Sequence, residues 1–523
     1  MKKLFSDTMN KQKPLDGTVK RLLKLPSPAL AAALVSVAIM FYALIILPVG
    51  MADNGDFYRV ANGQGIYKLD RNESDQYLSY FSKTFGAYQY FNEFSGGSIF
   101  TTQVPFIQTA KAIDSLFTGA DAFFDIRFLS AVFMLYCAVA IYLIVDYATY
   151  HVQGVASYGI AALCVFMFAD TGYTAYFNSF FAEGLVYVTF LCTVACALLL
   201  TQQRYSPYGL LIMLVLNGLL LIGAKQQNAP LGVLLGLLCV SLVIINKVQN
   251  KRKSEDFKTY YRNPLLFRRL TVGASVILCA CGVASYALIP QEFVNINQYH
   301  AMTRGVLMTS ENPEKTLTEF GIDRQYAMLN NSIYYEKYPA VDVENPILTD
   351  NFYSRYSFFT ISAYYISHPQ KLLQMLDVSA RLAYNIRPES IGNLEKSAGA
   401  KPGAQTSYFT FHSTLKAVVA PKTIGFIVIW FILAVALTFR DKGKCTIVFF
   451  SILMGLSQIG VSIIGAGDAD LAKHMFLYNV VFDLINFLGG AVLIVYLCRW
   501  VTKFIGNFKA KRDVRRIKVT QNV

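Results

Sequence analysis

Long runs of apolar residues, each close to the length needed to cross a membrane, recur along this chain. About 20 apolar residues in a helix span the hydrocarbon core of a bilayer. On this basis we predict about ten membrane-spanning helices, joined mostly by short polar connections. The approximate ranges are 28–49, 128–147, 155–169, 184–201, 207–223, 231–246, 271–289, 423–439, 446–464 and 475–498. The pattern therefore predicts an all-α polytopic membrane protein.

Two connections are much longer than the others, at residues 50–127 and 290–422. The second is long enough for a small folded domain. In the first, apolar residues recur at helical spacing and predict an interfacial helix with Lys111 and Asp114 on the opposite face. Those apolar residues are Ile107, Ala110, Ile113, Leu116 and Phe117. We therefore divide the chain into a basic N-terminus (1–27), a membrane module (28–289), a connecting domain (290–422), C-terminal membrane helices (423–498) and a basic tail (499–523).

Charge fixes the expected orientation. The 523 residues carry a net charge of +14, and basic residues concentrate in the N-terminal segment, at 247–269 and in the tail. These basic segments alternate with apolar runs, as the positive-inside rule requires, and no aromatic platform for bases accompanies them. We expect both termini in the cytoplasm, the two long connections outside, and contact with lipid headgroups but no nucleic acid.

Cysteine usage and the first apolar run add two negative expectations. The nine cysteines lie in or beside apolar runs, which supports neither a disulfide framework nor a metal-type Cys-x-x-Cys site. No small-residue cleavage site follows residues 28–49, so we expect a retained helix rather than a signal peptide. We therefore expect a plasma-membrane protein rather than a secreted product.

Polar residues concentrate in four connections that this topology places on the outer side. They follow the first run as Asp53-Asn54-Gly55-Asp56-Phe57-Tyr58-Arg59, and they recur at 170–183, 225–230 and 465–474. Carboxylates there can act as a base, while lysine and histidine can hold a phosphate. The sequence therefore predicts a polar site at headgroup depth, suited to transfer from a lipid phosphate to a hydroxyl.

Each of these residues also has a purely structural interpretation. Asp53 and Asp56 could cap the helix that starts near Phe57, because Asp-Asn-Gly is turn chemistry. Glu183 could serve a helix N-terminus, and Lys225 could extend to the membrane interface. Lys473, His474, Asp468 and Asp470 could be anchors or turn residues. Asp483, two turns into the last run, is costly in a membrane and is expected to be functional or to pair with Lys473 or His474.

The motif Asp53-Asn54-Gly55-Asp56-Phe57 resembles the acidic motif in the first outer loop of the GT-C superfamily of membrane glycosyltransferases. Such enzymes take a sugar from a polyprenyl-phosphate donor on the outer side. The first Asp and the Phe match, but Asn54 stands where the family often has Glu. That departure leaves cofactor use open, with a divalent cation as one option. The resemblance implies a GT-C-like fold for residues 28–289.

A closer similarity is to bacterial glycan hexose transferases of the WsfD type, through 53–58, 176–183, 225–230, 299–305, 319–321 and 467–474. The resemblance implies Asp53 as base with Asp56 second, although the residues alone do not decide between them. It implies donor-phosphate contacts from Lys225, Lys473, His474, Arg59 and Arg304. We expect substrate contacts from Tyr176, Asn178, Glu183, Gln227, Asn228 and Asp468, with Tyr173 and Phe177 as further stacking surfaces.

The leading hypothesis is an inverting hexosyltransferase that moves a polyprenyl-phosphate-linked sugar to a cell-surface glycan or cell-wall polymer. A transporter or flippase of lipid-linked sugars is the alternative, but it predicts midplane charges and internal repeats. The chain shows little of either beyond Asp483. A non-enzymatic scaffold would require that Asp53 and Lys225 be replaceable without effect.

Overall fold

The chain folds into a bundle of long helices with two structured connecting segments. The computed structural model describes residues 26–69, 77–87, 100–119, 122–250, 260–388 and 391–520. Of the basic N-terminus predicted at residues 1–27, residues 1–25 lie outside these ranges. The long apolar helices are α1 (Pro28–Phe41), α4 (Arg127–Thr149), α5 (Val155–Phe168), α7 (Glu183–Gln202), α8 (Pro207–Gly223), α9 (Ala229–Asn250), α10 (Pro264–Ala287), α17 (Ile424–Thr438), α18 (Lys442–Ala466) and α20 (Phe476–Thr520).

Shorter elements fill the connections between them. These helices are α2 (Tyr58–Ala61), α3 (Val104–Thr118), α6 (Thr171–Thr174), α11 (Gln291–His300), α12 (Pro313–Glu319), α13 (Pro346–Asn351), α14 (Phe358–Ser367), α15 (Pro369–Leu382), α16 (Phe411–Val419) and α19 (Leu471–His474). Strands β1 (Ile66–Tyr67), β2 (Thr84–Ala87) and β3 (Phe123–Asp125) form an antiparallel sheet in the order β1-β2-β3. The sheet pairs Ile66 with Ala87 and Phe85 with Phe124.

Among the described residues, seven helices are long and apolar enough to cross a membrane, and nine are if two bent pairs each count as one span. The pairs bend by 45° after α5 and by 114° between α16 and α17. The remaining predicted run is α8, a shorter apolar helix. The prediction of an all-α polytopic membrane protein is confirmed.

Helix α8 connects the two ends of the bundle although it is short. At one end, Glu183 begins α7 and bonds to Lys225, two residues beyond the end of α8. At the other end, Arg204 lies between α7 and α8 and pairs with Asp146 near the end of α4. Because α8 runs from the Arg204 end to the Lys225 end, it traverses the same layer as α7. We refer below to the end that carries Glu183 and Lys225 as the site end.

Helix α7 is the axis of the bundle. Every side chain from Glu183 to Leu200 is buried, because α7 packs against α4, α8, α18 and α20. An all-round buried helix needs no amphipathic stripe, which fits the uniformly apolar sequence of α7. The rigid start of α7 therefore holds Glu183 in a fixed place.

A second hydrophobic cluster lies at the site end. It joins aromatic side chains of the 290–422 segment, such as Tyr299, Phe352 and Tyr384, to Ile463 and Tyr478 of the long helices. The segment is thus joined to the membrane helices at its two ends and also packs onto α18 and α20 through apolar contacts. The boundaries of the five predicted segments stay a prediction.

One predicted face was wrong. Helix α3 forms where the spacing predicted it, but Asp114 is buried and Leu116 and Phe117 are exposed. The Asp114 carboxylate accepts hydrogen bonds from the Asp125 amide at 3.0 Å and from Thr118 at 3.1 Å. A carboxylate that satisfies a backbone amide can be buried at low cost, and hydrophobic spacing alone does not reveal such a partner.

The chain that leaves α1 is held in an extended path before it reaches the acidic motif. The Gly50 amide bonds to the Asn393 carbonyl at 3.0 Å, and the Met51 amide bonds to the Asn178 carbonyl at 3.3 Å. A Cβ atom on Gly50 would lie 2.4 Å from the ring of Phe81, so only glycine permits this close approach. The 170–183 connection and the segment around 392–394 therefore fix where Asp53 and Asp56 emerge.

Candidate functional site

A cluster of charged side chains forms at the site end, and its centre is Asp56. One oxygen of the Asp56 carboxylate lies 2.5 Å from Nζ of Lys473, and the other lies 2.8 Å from Nη1 of Arg59. Arg59 is one residue into α2, whereas Lys473 is on α19, 417 residues along the chain. Burial raises the pKa of Asp56, but Lys473 and Arg59 outweigh it and lower the pKa to about 2.

A second ion pair continues the cluster. Nζ of Lys225 lies 2.8 Å from Oε1 of Glu183, whose side chain is 2% exposed. Burial lowers the pKa of Lys473, but the charges of Asp56 and Glu183 outweigh it and raise the pKa above its ordinary value. Lys473 therefore links the two pairs. Three cations and two carboxylates leave the cluster with one net positive charge, which suits a phosphate.

His474 borders this cluster as a neutral group. Its Nδ1 lies 2.8 Å from Oε1 of Gln227, and Nε2 of Gln227 donates to the Ser462 hydroxyl at 2.9 Å. Burial, with Lys225 and Lys473 nearby, lowers the pKa of His474 to about 3. A neutral imidazole can donate from Nδ1 to the amide oxygen, so His474 acts here as a hydrogen-bonding group rather than as a cation.

Asp53 has the capping geometry that its sequence context allows. Its Oδ1 accepts hydrogen bonds from the amides of Gly55 at 2.8 Å and Phe57 at 3.1 Å, just before α2. Its other oxygen forms an ion pair with Lys68, and the residue is 1% exposed. Gly55 has a φ of 93°, which this turn requires. Asp53 thus shapes the turn that presents Asp56.

Aromatic rings lie behind two of the cations. Nζ of Lys473 lies 4.4 Å from the centroid of the Phe181 ring, and the guanidinium of Arg59 lies 4.5 Å from the centroid of the Phe293 ring. Such contacts stabilise a cation by about 0.5–2 kcal/mol. The aromatic rings therefore help to fix the positions of both cations.

The structure places Arg304 and Asp468 in a separate pair. Nε and Nη2 of Arg304 contact the two carboxylate oxygens of Asp468 at 2.7 and 2.9 Å. Nη1 of Arg304 donates to the Asn331 carbonyl, and the Asp468 amide bonds to the Arg304 carbonyl. This bidentate pair joins the 290–422 segment to the end of α18. It does not join the Asp56 cluster.

Three predicted substrate-binding residues are fully buried. The Tyr176 hydroxyl donates to the Ile386 carbonyl, and the Asn228 amide donates to the Leu221 carbonyl. The Asn178 amide donates to the carbonyls of Leu44 and Val49, at the end of the first span. Their hydrogen bonds hold connections together. From the predicted substrate-binding set, only Glu183 belongs to the charged cluster, and Gln227 borders it through His474.

A second buried polar cluster was not predicted as a unit. Asp483 of α20 accepts a hydrogen bond from Nζ of Lys416 at 2.7 Å and another from the Tyr173 hydroxyl. Nε2 of His412 lies 3.7 Å from its second oxygen. The expected partners, Lys473 and His474, are elsewhere. Lys416 and His412 share the buried face of α16, and this four-residue spacing was the signal available in the sequence.

A small pocket with a cavity volume of about 10 Å³ lies beside the Lys225–Glu183 pair. Its wall contains polar and apolar atoms in similar measure, and Leu288 on its rim is 61% exposed. The lining residues are Phe100, Ile222, Gly223, Lys225, Gln226, Ser285 and Leu288. The pocket places exposed apolar side chains, such as Leu288, next to the half-buried Lys225.

In the part of the chain that the structure describes, no group of three or more His, Cys, Asp or Glu side chains is arranged so that it could hold a metal ion. The positive charges of the site come from Arg59, Lys225 and Lys473. These three are therefore the groups we consider for anion binding.

Comparison with known protein families gives one match. The family model described as YfdI N-terminal transmembrane domain matches residues 12–513, which include every residue of both polar clusters. No curated protein matches the chain. The similarity to WsfD-type transferases stays a prediction.

Proposed function

The chain belongs to the family of the YfdI N-terminal transmembrane domain, and from this premise we propose that it transfers a sugar from a polyprenyl-phosphate donor to a cell-surface glycan or cell-wall polymer. Membership of the family indicates a membrane glycosyltransferase. The donor, the acceptor and the role of each side chain are parts of the proposal.

One observation carries the proposal. Five charged side chains from four separate connections converge at one end of the bundle, beside a small pocket. They are Asp56, Arg59, Glu183, Lys225 and Lys473. Assembling buried charges is costly unless they are paired, so such a cluster favours a functional site over a scaffold.

The same geometry supports a proposal for the side of the membrane. Helices α9 and α20 both start at the site end, so their C-terminal ends lie opposite Lys225. The sequence that follows α9 and the C-terminal part of α20 are rich in lysine and arginine. The positive-inside rule favours the cytoplasm for that end. We therefore propose a plasma-membrane enzyme with both termini in the cytoplasm and its site outside.

The proposed reaction breaks the bond between the anomeric carbon and the phosphate oxygen and forms a bond to an acceptor hydroxyl. A carboxylate takes the hydroxyl proton, and cations stabilise the departing polyprenyl phosphate. Lys473, Arg59 and Lys225 supply those charges. The exposed apolar side chains beside Lys225, Phe100 and Leu288, suit the part of the lipid nearest the phosphate.

The geometry favours Asp56 over Asp53 as the base. Asp53 is 1% exposed, and its oxygens are engaged by two amides and by Lys68. The Asp56 side chain is 20% exposed and lies among the proposed phosphate ligands. We therefore assign proton removal to Asp56 and the shaping of the turn to Asp53.

The proposed assignment is tested by sugar transfer in proteoliposomes that hold the full-length protein, a polyprenyl-phosphate-linked sugar and surface-glycan acceptors. Removing a general base lowers the rate by about 10²–10⁴-fold. We expect such a loss in kcat for Asp56→Asn and a loss below about tenfold for Asp53→Asn, because asparagine still accepts from the two amides.

The reverse ranking would return the base to Asp53, and full activity in both variants would contradict a carboxylate base. Movement of the lipid-linked sugar across the membrane without any acceptor, together with no transfer, would favour a transporter.

A further inference from the structure

The cations of the site are already paired with carboxylates of the chain. The Asp56 carboxylate bridges Lys473 at 2.5 Å and Arg59 at 2.8 Å, as a phosphate with two oxygens would. Glu183 fills the same role on Lys225 at 2.8 Å. A lipid phosphate that binds these cations must therefore either add to the carboxylates or replace one of them.

The net charge of the cluster suits one phosphate, but addition is disfavoured by repulsion between like charges. The cluster has one net positive charge, from three cations and two carboxylates. A sugar-linked phosphate beside Asp56 and Glu183 would place three negative groups around the same cations. Like charges a few Å apart repel strongly when partly buried. Replacement of one carboxylate leaves only two negative groups in direct contact with the cations.

The cations do not depend on the carboxylates alone for their positions. The ring of Phe181 lies against Lys473 at 4.4 Å, and the ring of Phe293 lies against Arg59 at 4.5 Å. Lys473 is also on the short helix α19, directly before α20. If a carboxylate moves away, both cations can keep their places and accept another anion.

The two carboxylates differ in freedom. The Glu183 side chain is 2% exposed and belongs to the first residue of the buried helix α7. The Asp56 side chain is 20% exposed, and the turn around it is held by Asp53 rather than by its own carboxylate. Asp56 can therefore rotate without loss of the turn, whereas Glu183 has no comparable space.

We propose that the phosphate of the lipid donor binds by displacing the Asp56 carboxylate from Lys473 and Arg59, and that the displaced carboxylate becomes the base. This inference rests on the proposed transfer reaction. The exchange breaks and forms only ion pairs and hydrogen bonds. The covalent step follows with the proton passing from the acceptor hydroxyl to Asp56.

The exchange would couple donor binding to base strength. While Asp56 bridges two cations, its pKa of about 2 makes it a weak base at neutral pH. After exchange it has lost those partners and faces a phosphate, and both changes raise a carboxyl pKa. Without donor the site would hold an inert carboxylate, so acceptor hydroxyls would be activated only when a sugar is present.

The proposal makes an unusual prediction about binding. If Asp56 competes with the phosphate, Asp56→Asn should bind polyprenyl phosphate more tightly than the wild type, even though it transfers no sugar. Neutral asparagine competes less well for the two cations, and we expect Kd to fall about tenfold, or about 1.4 kcal/mol.

Binding is measured with the full-length protein in nanodiscs of neutral lipid, with undecaprenyl phosphate as the probe and undecaprenol as the probe without phosphate. Asp125→Asn is the matched control, since Asp125 is 19% exposed and pairs with Arg127 two residues away, at the start of α4. We expect less than a twofold change in Kd for that control and no effect of Asp56→Asn on undecaprenol.

The outcomes separate this inference from the proposed function. In one case, the wild type transfers sugar and Lys473→Met weakens phosphate binding, but Asp56→Asn binds the phosphate no more tightly than the wild type. That result would overturn the exchange and leave the transfer reaction intact. Lack of phosphate-dependent binding in every variant, with no transfer by the wild type, would overturn both. If Asp56→Asn does not fold, Asp56→Ser carries the same expectation.

Discussion

The buried pair between Lys416 and Asp483 should be strongly cooperative. The side chains are 5% and 1% exposed, with Nζ and Oδ2 2.7 Å apart, and the Tyr173 hydroxyl bonds to the same carboxylate oxygen. Lys416→Met leaves Asp483 buried without its cation, and breaking a buried ion pair from one side costs about 3–5 kcal/mol. We therefore expect a loss of about 3 kcal/mol or more in the free energy of unfolding.

The double variant Lys416→Met/Asp483→Asn should recover part of that loss, because neither charge remains and asparagine can still accept from Tyr173. We expect a coupling energy of at least about 2 kcal/mol in the cycle of single and double variants. The assay is equilibrium unfolding in mixed micelles with increasing dodecyl sulfate. Additivity within about 0.5 kcal/mol would refute the reasoning, since it would mean that neither charge depends on the other.

Three further effects follow from the site. The pKa of His474 is lowered to about 3 in the folded protein, so the unfolded chain takes up a proton on this histidine first as the pH falls. The free energy of unfolding should therefore decrease between pH 6.5 and about 3, by up to about 1.4 kcal/mol per pH unit. His474→Gln should remove this slope in acid-unfolding curves. The pKa of Asp56 is lowered from 3.8 to about 2, so its contribution to the free energy of unfolding is complete above pH 4 and is lost toward pH 2. If the pH dependence of stability differed between the wild type and Asp56→Asn above pH 5, it would contradict this. Gly467 has a φ of 61°, and a Cβ atom there would lie 2.5 Å from the Arg304 backbone. Gly467→Ala should therefore lower the free energy of thermal or chemical unfolding by about 1–3 kcal/mol. An unchanged stability would show that this contact relaxes freely.

The long helices could be predicted because hydrophobicity is a local property of the sequence. Each predicted apolar run overlaps a long apolar helix, including the short α8, whose crossing is visible only from the partners at its two ends. The prediction of which side of α3 is buried was wrong because the Asp114 carboxylate accepts a hydrogen bond from a backbone amide on β3, eleven residues away. Apolar spacing reports which residues avoid water, and it does not report which polar groups find partners.

The site was predictable as a set of connections but not as a set of contacts. Sorting polar residues by side of the membrane brought Asp56, Glu183, Lys225 and Lys473 together. The pairing of Lys473 with Asp56 spans 417 residues and depends on the packing of α19 against the first connection. No local pattern encodes such a register.

The same reason explains the two features that the sequence interpretation missed. Lys68 forms the ion pair with Asp53 only because the chain returns through β1 after α2. Lys416 was assigned to a polar connecting segment, yet the bend of 114° between α16 and α17 brings it against α20. In both cases tertiary folding rather than local composition decides the partner of a buried carboxylate.

The central claim is that the lipid phosphate occupies the site end of the bundle, on Lys473 and Arg59. The most direct measurement is a cryo-EM map of the full-length protein in nanodiscs with a bound polyprenyl-phosphate sugar. We predict phosphate density within about 3.5 Å of Nζ of Lys473, with Asp56 rotated away and the lipid leading past the pocket at Lys225. Phosphate density at the opposite end, near Arg204, with the Asp56–Lys473 pair intact, would contradict the account.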